Sequence, residues 1–517
     1  MALDGKMQAS LESSRRPVGP LSNPLLRFSV FLLFLLAGGL VVLYPFFALG
    51  CVALIATGVL GRQVLVWMRR AHLEAWQLLV LAALSGYTIL NYGFENLAIH
   101  VGGIPIIISY LLMFGSWLLA LLTFKYSRAL KEPVVYCLLG LLFLTLLHLV
   151  VDIPAYGFWA LRDASMFLDG LFLFLGLCWG MRPDSTLPLL KWLLVIFLLN
   201  LIYGLTFPWG DALQALSPVS GVFLKVPIVG FYHSTYIYLL AGAMFFIMLA
   251  GYVVKWPKWI MLLLVFAQLG GLAIHQDRSM YVAIVLILVL LAFFGEGKSS
   301  AKLLGVVVFA ITGLFLLTTV AGVEISGRIG PVNMSFFADH IRSISGADDT
   351  PGSSVEGRMD WLQQAMKRFY SSPLVGVGFG QPLIDELDSG NGAPIRQPHN
   401  SSLSVLARLG VTGFALWVAF HLCLAKRFVY AFRRRHLCDK LHADLILWLF
   451  IFYLIFMIVM HVEPGLEFPS GAIPFYFFVG LILGMIRWQI PAAKEEASYA
   501  RLISPRAGGS LSPASLS

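Results

Sequence analysis

The sequence has few charged residues and few cysteines for its length. Charged residues make up 12% of the 517 residues and hydrophobic residues make up 59%, whereas soluble domains carry about 25% charged and about 45–50% apolar residues. This composition excludes an ordinary soluble enzyme and indicates an integral membrane protein. Of the five cysteines, all but Cys438 fall in hydrophobic runs, so we expect neither a disulfide framework nor a metal cluster.

The positive charge is distributed in a way that reports membrane topology. Most of the net charge of +9 belongs to short loops between hydrophobic runs, where Lys and Arg mark the cytosolic side, so we expect no nucleic-acid binding. A spanning helix needs roughly 20 mostly apolar residues. Together these rules predict an all-α polytopic membrane protein with about fourteen transmembrane helices and both termini in the cytosol. One large outward-facing loop containing short helices interrupts the pattern.

The predicted spans are placed by the hydrophobic runs and the basic loops between them. The first run, residues 28–60, is too long for one span and contains Gly38-Gly39 and Pro45, so we divide it into a helical hairpin. The later spans are predicted at about 75–98, 104–124, 133–151, 164–181, 188–206, 233–254, 258–275, 280–295, 303–323, 401–424, 443–461 and 471–487.

Five segments follow from this assignment. The polar N-terminus lacks the pattern of a cleavable signal peptide, and the C-terminus is rich in Ala, Ser and Gly. The segments are a disordered cytosolic tail (1–26), an N-terminal transmembrane bundle (27–323), a large outward-facing loop (324–400), C-terminal transmembrane helices (401–488) and a second disordered cytosolic tail (489–517).

Cations on the predicted outer face are informative because Lys and Arg are disfavoured in short translocated loops. A phosphate or diphosphate could partner such a cation; the alternative is a nearby carboxylate such as Asp163, Asp277 or Asp360. Arg278 lies where one predicted span turns directly into the next, and the alternative for it is contact with ordinary lipid headgroups. The outer cations include Arg162, Lys225, Arg278, Arg358, Arg396 and Arg408.

The predicted loop contains an amphipathic helix. Ser353 or Ser354 could cap it, and its apolar residues recur every three to four positions from Met359 to Phe369. Arg358 would lie in the first turn, where the helix dipole favours bound anions. Pro373 cannot continue the helix.

Three glycines and a histidine follow this helix. Small residues at Gly376, Gly378 and Gly380 would let the backbone turn tightly against the bundle, although the context is not that of a nucleotide-binding loop. His399 precedes the next span. A histidine can accept a proton from an alcohol near neutral pH; the alternative is a structural or capping role. Asn400 could cap the helix or orient the imidazole.

These residues resemble a known family. Arg358, Trp361, the run from Ser372 to Gly380 and His399-Asn400 are similar to the signature of the O-antigen ligase and O-antigen polymerase superfamily of bacterial membrane enzymes. Arg278-Ser279 is similar to another element of that family. The resemblance implies that Arg278 and Arg358 bind the diphosphate of an undecaprenyl-diphosphate-linked glycan, and that His399 is the base that activates the acceptor hydroxyl.

One departure concerns the middle of the chain. Where the family usually has an arginine, this sequence has Lys225, followed by His233. A lysine can hold a phosphate as a point charge but lacks the bidentate guanidinium fork. Either Lys225 or Arg162 would therefore complete the anion site.

The resemblance implies an inverting glycosyltransferase of the bacterial inner membrane, with its active face in the periplasm and no metal or cofactor. We favour a polymerase for O-antigen, capsule or exopolysaccharide, with a flippase and a chain-length regulator as possible partners. The alternative is an O-antigen ligase whose acceptor is the lipid A core. A lipid-linked oligosaccharide flippase would carry charges deep in its helices, where Glu95 is the clearest candidate, and a non-catalytic scaffold is a third possibility.

Overall fold

Helices form nearly all of the regular structure of this protein. The computed structural model describes residues 73–101, 104–123, 131–220, 226–294, 297–315, 325–328, 330–333, 335, 338, 354–387 and 394–503. The predicted N-terminal tail, the predicted first hairpin and Lys225 lie outside the described residues, as does much of the predicted loop. The elements below all belong to the second of two units, Glu74–Ser517.

The first half of the described chain alternates long helices with short connections. Short two-stranded antiparallel sheets close two of these connections, pairing Ile99 with Ile106 and Ser220 with Val226. The elements are α1 (Ala75–Leu90), α2 (Tyr92–Glu95), β1 (Ala98–Val101), β2 (Ile104–Ile107), α3 (Ile108–Thr123), α4 (Pro133–Tyr156), α5 (Phe158–Leu168), α6 (Phe172–Gly180), α7 (Thr186–Leu205), α8 (Gly210–Leu216), β3 (Val219–Ser220), β4 (Val226–Pro227), α9 (Thr235–Met248) and α10 (Ala250–Val253).

The second half contains the longest helices and the segments that carry the candidate site. A third small sheet pairs Leu387 with Pro394. The elements are α11 (Lys258–His275), α12 (Arg278–Phe293), α13 (Gly297–Phe315), α14 (Ser354–Ser371), β5 (Glu386–Leu387), β6 (Pro394–Ile395), α15 (Ser401–Arg434), α16 (Lys440–Val462) and α17 (Pro469–Ile503).

The protein is an all-α membrane protein. Among the described residues, 6 helical stretches are long and apolar enough to cross a membrane, and α1, α9 and α12 are shorter apolar helices. The long stretches are Pro133–Tyr156, Pro183–Leu205, Lys258–His275, Ser401–Leu437, Lys440–Val462 and Pro469–Arg487. Each span predicted after residue 75 contains helix; the total of about fourteen and the periplasmic position of the loop stay predictions.

The helices differ from the predicted spans in several places. The predicted span at 164–181 is broken by a 3-10 turn, Asp169–Leu171, which separates α5 from α6. Helix α15 is kinked at Gly410, whose φ of 62° and ψ of −165° are not helical. Helix α17 continues to Ile503, so residues 489–503, which we predicted to be part of a disordered tail, are helical.

Close helix packing at the centre of the bundle depends on glycine. Helices α6 and α17 each carry two glycines four residues apart, Gly176 with Gly180 and Gly480 with Gly484. A Cβ atom at Gly176 would lie 1.9 Å from the carbonyl oxygen of Phe477, and one at Gly480 would lie 1.9 Å from that of Leu173. Small residues at this spacing let two helix backbones approach closely, which is how helices associate without a hydrophobic driving force in lipid.

A buried carboxylate joins one end of three helices. Glu132 precedes α4, and its Oε2 is 2.7 Å from Nη2 of Arg427 on α15. Its Oε1 is 2.9 Å from Nη1 of Arg487 on α17. Two guanidinium groups therefore compensate a carboxylate that is almost completely buried. The candidate site lies at the opposite ends of these helices, near Tyr156, Ser401 and Pro469.

Candidate functional site

The turn between α11 and α12 presents Arg278 at a helix start. Gln276 adopts a left-handed conformation with φ of 53°, which reverses the chain. The Asp277 carboxylate caps α12 by accepting a hydrogen bond from the Ser279 amide at 2.9 Å. Arg278 is the first residue of α12 and is half-buried. Among the residues that the structure describes, no ion-pair partner of Arg278 is found.

A second arginine, Arg328, lies against this turn. Gln276 Nε2 donates to the Gly330 carbonyl at 2.8 Å, and the Gly330 amide donates back to Gln276 Oε1 at 3.2 Å. The Arg328 amide donates to the Ile274 carbonyl at 3.1 Å. These contacts bring Nη1 of Arg328 to 3.9 Å from Oδ2 of Asp277. Sequence reasoning missed Arg328, because no motif marks it within a loop of mixed composition.

Arg358 and His399 meet at one carboxylate, that of Glu463 at the end of α16. Nη2 of Arg358 lies 3.3 Å from Oε1 of Glu463, and Nδ1 of His399 lies 3.3 Å from Oε2. The Trp361 ring packs against the imidazole with 4.8 Å between ring centroids. The side chains of Arg358 and His399 remain 42% and 33% exposed, so a ligand can reach both.

Helix α14 starts at Ser354, which corrects one prediction. Arg358 is therefore the fifth residue of the helix and not part of the first turn. The free amide groups at a helix start belong to its first four residues, so the helix dipole contributes less at Arg358 than we predicted. Its ion pair with Glu463 positions it instead.

The backbone around His399 is unusual. Its φ of 51° lies in a region that few residues other than glycine adopt, and such conformations cluster at functional sites. Asn400 caps α15, since its Oδ1 accepts a hydrogen bond from the Leu403 amide at 3.0 Å. Its Nδ2 donates to the His461 carbonyl at 3.1 Å. Asn400 thus fixes the start of α15 directly beside the imidazole.

Charges in this region act on one another. Burial by itself raises the pKa of Glu463, but the hydrogen bond and charge of His399, with Arg358 and Arg328, lower it below its ordinary value. Burial raises the pKa of Asp277, where Ser279 and Arg328 oppose the shift and Glu463 adds to it. We refer to Asp277, Arg328, Arg358, His399 and Glu463 as the charged cluster. It combines a carboxylate-bound imidazole with two guanidinium groups.

The buried Asp163 of α5 organises two other arginines. Its Oδ2 lies 2.9 Å from Nη2 of Arg396 and 3.0 Å from Nη2 of Arg408. Both guanidinium groups also donate to the glycine turn: Arg396 to the Gly380 carbonyl at 2.6 Å and Arg408 to the Gly378 carbonyl at 3.2 Å. A carboxylate is therefore the partner of both cations, which is the alternative that the sequence left open for them.

Gly376, Gly378 and Gly380 form a turn that packs against the helix bundle. Gly376, Gly378 and Gly380 have φ of 80°, 77° and 93°, values at which a side chain would be strained. A Cβ atom at Gly378 would lie 2.4 Å from Oδ2 of Asp152 on α4, and one at Gly380 would lie 2.3 Å from Cβ of Tyr156. The turn therefore has no room for larger residues, and it directs the chain back towards His399.

Arg162 contacts Asp163, the carboxylate that also binds Arg396 and Arg408. Its Nη1 is 3.2 Å from Oδ1 of Asp163, and its guanidinium is 5.9 Å from the Phe468 ring centroid. Lys225, the other candidate for completing the anion site, lies outside the described residues. Among the residues that the structure describes, no group of three or more His, Cys, Asp and Glu side chains could hold a metal ion.

The structure joins Arg358 and His399 through Glu463. Arg278 directly follows Asp277, the residue of the charged cluster that caps α12. Sequence reasoning missed Glu463. The available signal was a pair of carboxylates, Glu463 and Glu467, in the short connection between the last two predicted spans.

Residues 260–418 match a family model described as O-antigen ligase, which confirms the family resemblance found in the sequence. The match runs from α11 into α15 and includes Arg278, Arg358 and His399. It ends before Glu463, which the fold brings into contact with the matched residues Arg358 and His399. The chain matches no curated protein.

Proposed function

We propose that this chain, whose residues 260–418 match a family model described as O-antigen ligase, transfers a glycan from undecaprenyl diphosphate to a sugar hydroxyl at the periplasmic face of the bacterial inner membrane. The observation that supports this most strongly is Glu463, whose two oxygens contact His399 and Arg358. A base for the acceptor and a cation for the leaving group are thereby positioned by one carboxylate.

His399 acts as the general base. Its Nδ1 faces Oε2 of Glu463 at 3.3 Å, so we assign the proton of the neutral imidazole to Nδ1. Nε2 is then the basic nitrogen that takes the proton of the acceptor hydroxyl as its oxygen attacks the anomeric carbon. The Glu463 carboxylate stabilises the imidazolium that forms, as a carboxylate does in other base–carboxylate pairs.

Guanidinium groups act on the leaving group. As the acceptor oxygen forms the new glycosidic bond, the bond from the anomeric carbon to the diphosphate breaks and its electron pair stays on the diphosphate. Arg278 and Arg358, with Arg328, stabilise this charge through charge-assisted hydrogen bonds. Attack opposite the leaving group inverts the anomeric carbon. Because guanidinium groups can neutralise the charge that develops on the diphosphate, we expect no requirement for a metal or cofactor.

We propose a polymerase, in which the acceptor is a second lipid-linked glycan of O-antigen, capsule or exopolysaccharide. The long predicted outer loop and the number of predicted spans favour this choice. A flippase that delivers the lipid-linked glycan and a chain-length regulator are its proposed partners. The second candidate is a ligase that attaches the glycan to the lipid A core, and the description of the matched family favours it.

Complementation of a deletion strain tests the proposal. The strain receives the wild-type protein, Arg278→Ala, His399→Ala or the control His436→Ala, which changes an exposed histidine between α15 and α16. We expect only wild type and the control to restore normal surface polysaccharide. Loss of chain extension indicates a polymerase, whereas unattached long chains indicate a ligase. Normal polysaccharide in the Arg278 and His399 variants, at unchanged protein level, would refute the catalytic assignment.

A further inference from the structure

A second histidine, His233, packs among aromatic rings, one of which, Phe468, lies five residues after Glu463 in the chain. Its imidazole lies nearly parallel to the rings of Phe231 and Phe468, at centroid distances of 6.2 and 6.1 Å and interplanar angles of 13° and 10°. The Tyr92 ring meets all three edge-on, at 5.2 Å from Phe231 and 5.9 Å from the other two. We call Tyr92, Phe231 and Phe468 the aromatic clamp. Because its members come from three separate parts of the chain, it fixes the orientation of the imidazole.

The backbone next to His233 is fixed as well. Tyr203 Oη donates to the Phe231 carbonyl at 2.8 Å, and the Ser234 amide donates to Oδ1 of the buried Asn91 at 3.1 Å. His233 itself is exposed, and among the described residues we find no hydrogen-bond partner for its ring nitrogens. A rigid clamp therefore presents polar atoms that the protein leaves unused, as in binding sites where a few polar groups stand among aromatic side chains.

His233 packs on Phe468, which lies in the same short connection between α16 and α17 as Glu463. A neutral imidazole has one nitrogen that donates a hydrogen bond and one that accepts it. A hydroxyl group also donates and accepts, so it matches this side chain, whereas a phosphate is better matched by the neighbouring guanidinium groups.

We propose that His233 and the aromatic clamp form a carbohydrate subsite, in which the imidazole binds a hydroxyl of the glycan held beside His399. The apolar faces of a sugar ring can pack on the rim of the clamp while its hydroxyl groups reach the imidazole. His233 is thus a positioning residue that contributes to the choice of sugar. This inference rests on the proposed transferase function and adds a ligand contact outside the matched residues, 260–418.

Substitutions that separate ring packing from hydrogen bonding test the subsite. His233→Phe keeps a flat ring in the clamp and removes both nitrogens, whereas His233→Gln keeps a donor and an acceptor. The assay uses purified protein in liposomes with lipid-linked glycan and measures KM and kcat. We expect His233→Phe to raise KM about three- to tenfold, as the loss of one neutral hydrogen bond does, with a smaller change in kcat. His233→Gln should recover part of the loss, and His436→Phe should match wild type.

The outcomes separate this inference from the proposed function. An unchanged KM in His233→Phe, together with an inactive His399→Ala, refutes the subsite and leaves the transferase function intact. Full activity in both variants refutes the transferase assignment itself. If His233→Phe lowers the thermal unfolding midpoint, His233→Leu, which also cannot hydrogen-bond, replaces it in the same KM measurement. An unchanged KM in that variant overturns the subsite in the same way.

Discussion

Replacing Glu463 with glutamine tests how the base is positioned. Glutamine has nearly the same shape as glutamate but no charge, so Glu463→Gln leaves the site filled. It removes the charged partner of His399 at 3.3 Å and of Arg358 at 3.3 Å. The imidazolium that forms during proton transfer then lacks its counter-charge. We therefore expect slower chemistry, with weaker changes in substrate binding.

The size of this effect follows from the two contacts. A hydrogen bond to a charged group contributes about 1.5–3 kcal/mol. Because His399 is 33% exposed and Arg358 is 42% exposed, solvent screening reduces both contributions, and the more exposed Arg358 pair contributes about 0.2–1 kcal/mol. A loss of about 1.5–2 kcal/mol at His399 lowers kcat roughly 10- to 30-fold, since about 1.4 kcal/mol corresponds to tenfold. Removing the base in His399→Ala should cost roughly 10²- to 10⁴-fold.

The assay follows undecaprenyl diphosphate release by purified protein. Glu463→Asp, which keeps the charge on a shorter side chain, should lie between wild type and Glu463→Gln. A Glu463→Gln protein as fast as wild type would show that Glu463 does not position the base. The contacts predict that the kcat of Glu463→Gln lies between those of wild type and His399→Ala, with KM within about threefold of wild type.

The same variant carries a pH signature. The pKa of Glu463 is lowered in the folded protein by its partners, so its ion pairs stabilise the fold above the unfolded pKa and lose this effect as pH falls. The difference in thermal unfolding midpoint between wild type and Glu463→Gln should therefore be largest near neutral pH and shrink on acidification. A difference that grew towards low pH would contradict this assignment.

Four further predictions concern the scaffold, the topology and the chemistry. Gly378→Ala places a Cβ atom 2.4 Å from an Asp152 oxygen and should lower the thermal unfolding midpoint, whereas Gly357→Ala, where nothing lies within 4 Å, should raise it slightly. Asp163→Asn leaves two buried arginines without a charged partner and should destabilise the protein by about 3–5 kcal/mol, measured by thermal unfolding; a change below about 1 kcal/mol would contradict the buried cluster. A cysteine placed at Gly390, outside the described residues, should react with an impermeant thiol reagent in intact cells, and labelling only after lysis would overturn the topology. Activity should survive excess chelator, and its loss would indicate a metal.

Much of the fold could be predicted because the bilayer imposes simple rules. Apolar length and the distribution of Lys and Arg place the helices, and every span predicted after residue 75 contains helix. The break between α5 and α6 was missed because the hydrophobic run continues through Asp169–Leu171. The helical extension of α17 was missed because small residues such as Ala and Ser were read as a disordered tail, although alanine is the strongest helix former.

The candidate site was only partly predictable, because its members come from distant parts of the chain. Arg358 and His399 belong to one motif, yet the carboxylate that joins them, Glu463, is about 60 residues further on. The outer arginines could not be sorted by sequence either. Arg396 and Arg358 both lie in the predicted loop, but only packing shows that Arg396 is buried on Asp163 while Arg358 remains accessible.

The most direct test of the central claim is a transfer assay with the purified protein in sealed liposomes that contain one defined lipid-linked glycan. Wild type should form a new glycosidic bond with inversion at the anomeric carbon and release undecaprenyl diphosphate, while His399→Ala should form neither product. Movement of intact lipid-linked glycan across the bilayer by both proteins, without bond formation, would contradict the transferase assignment and support a flippase.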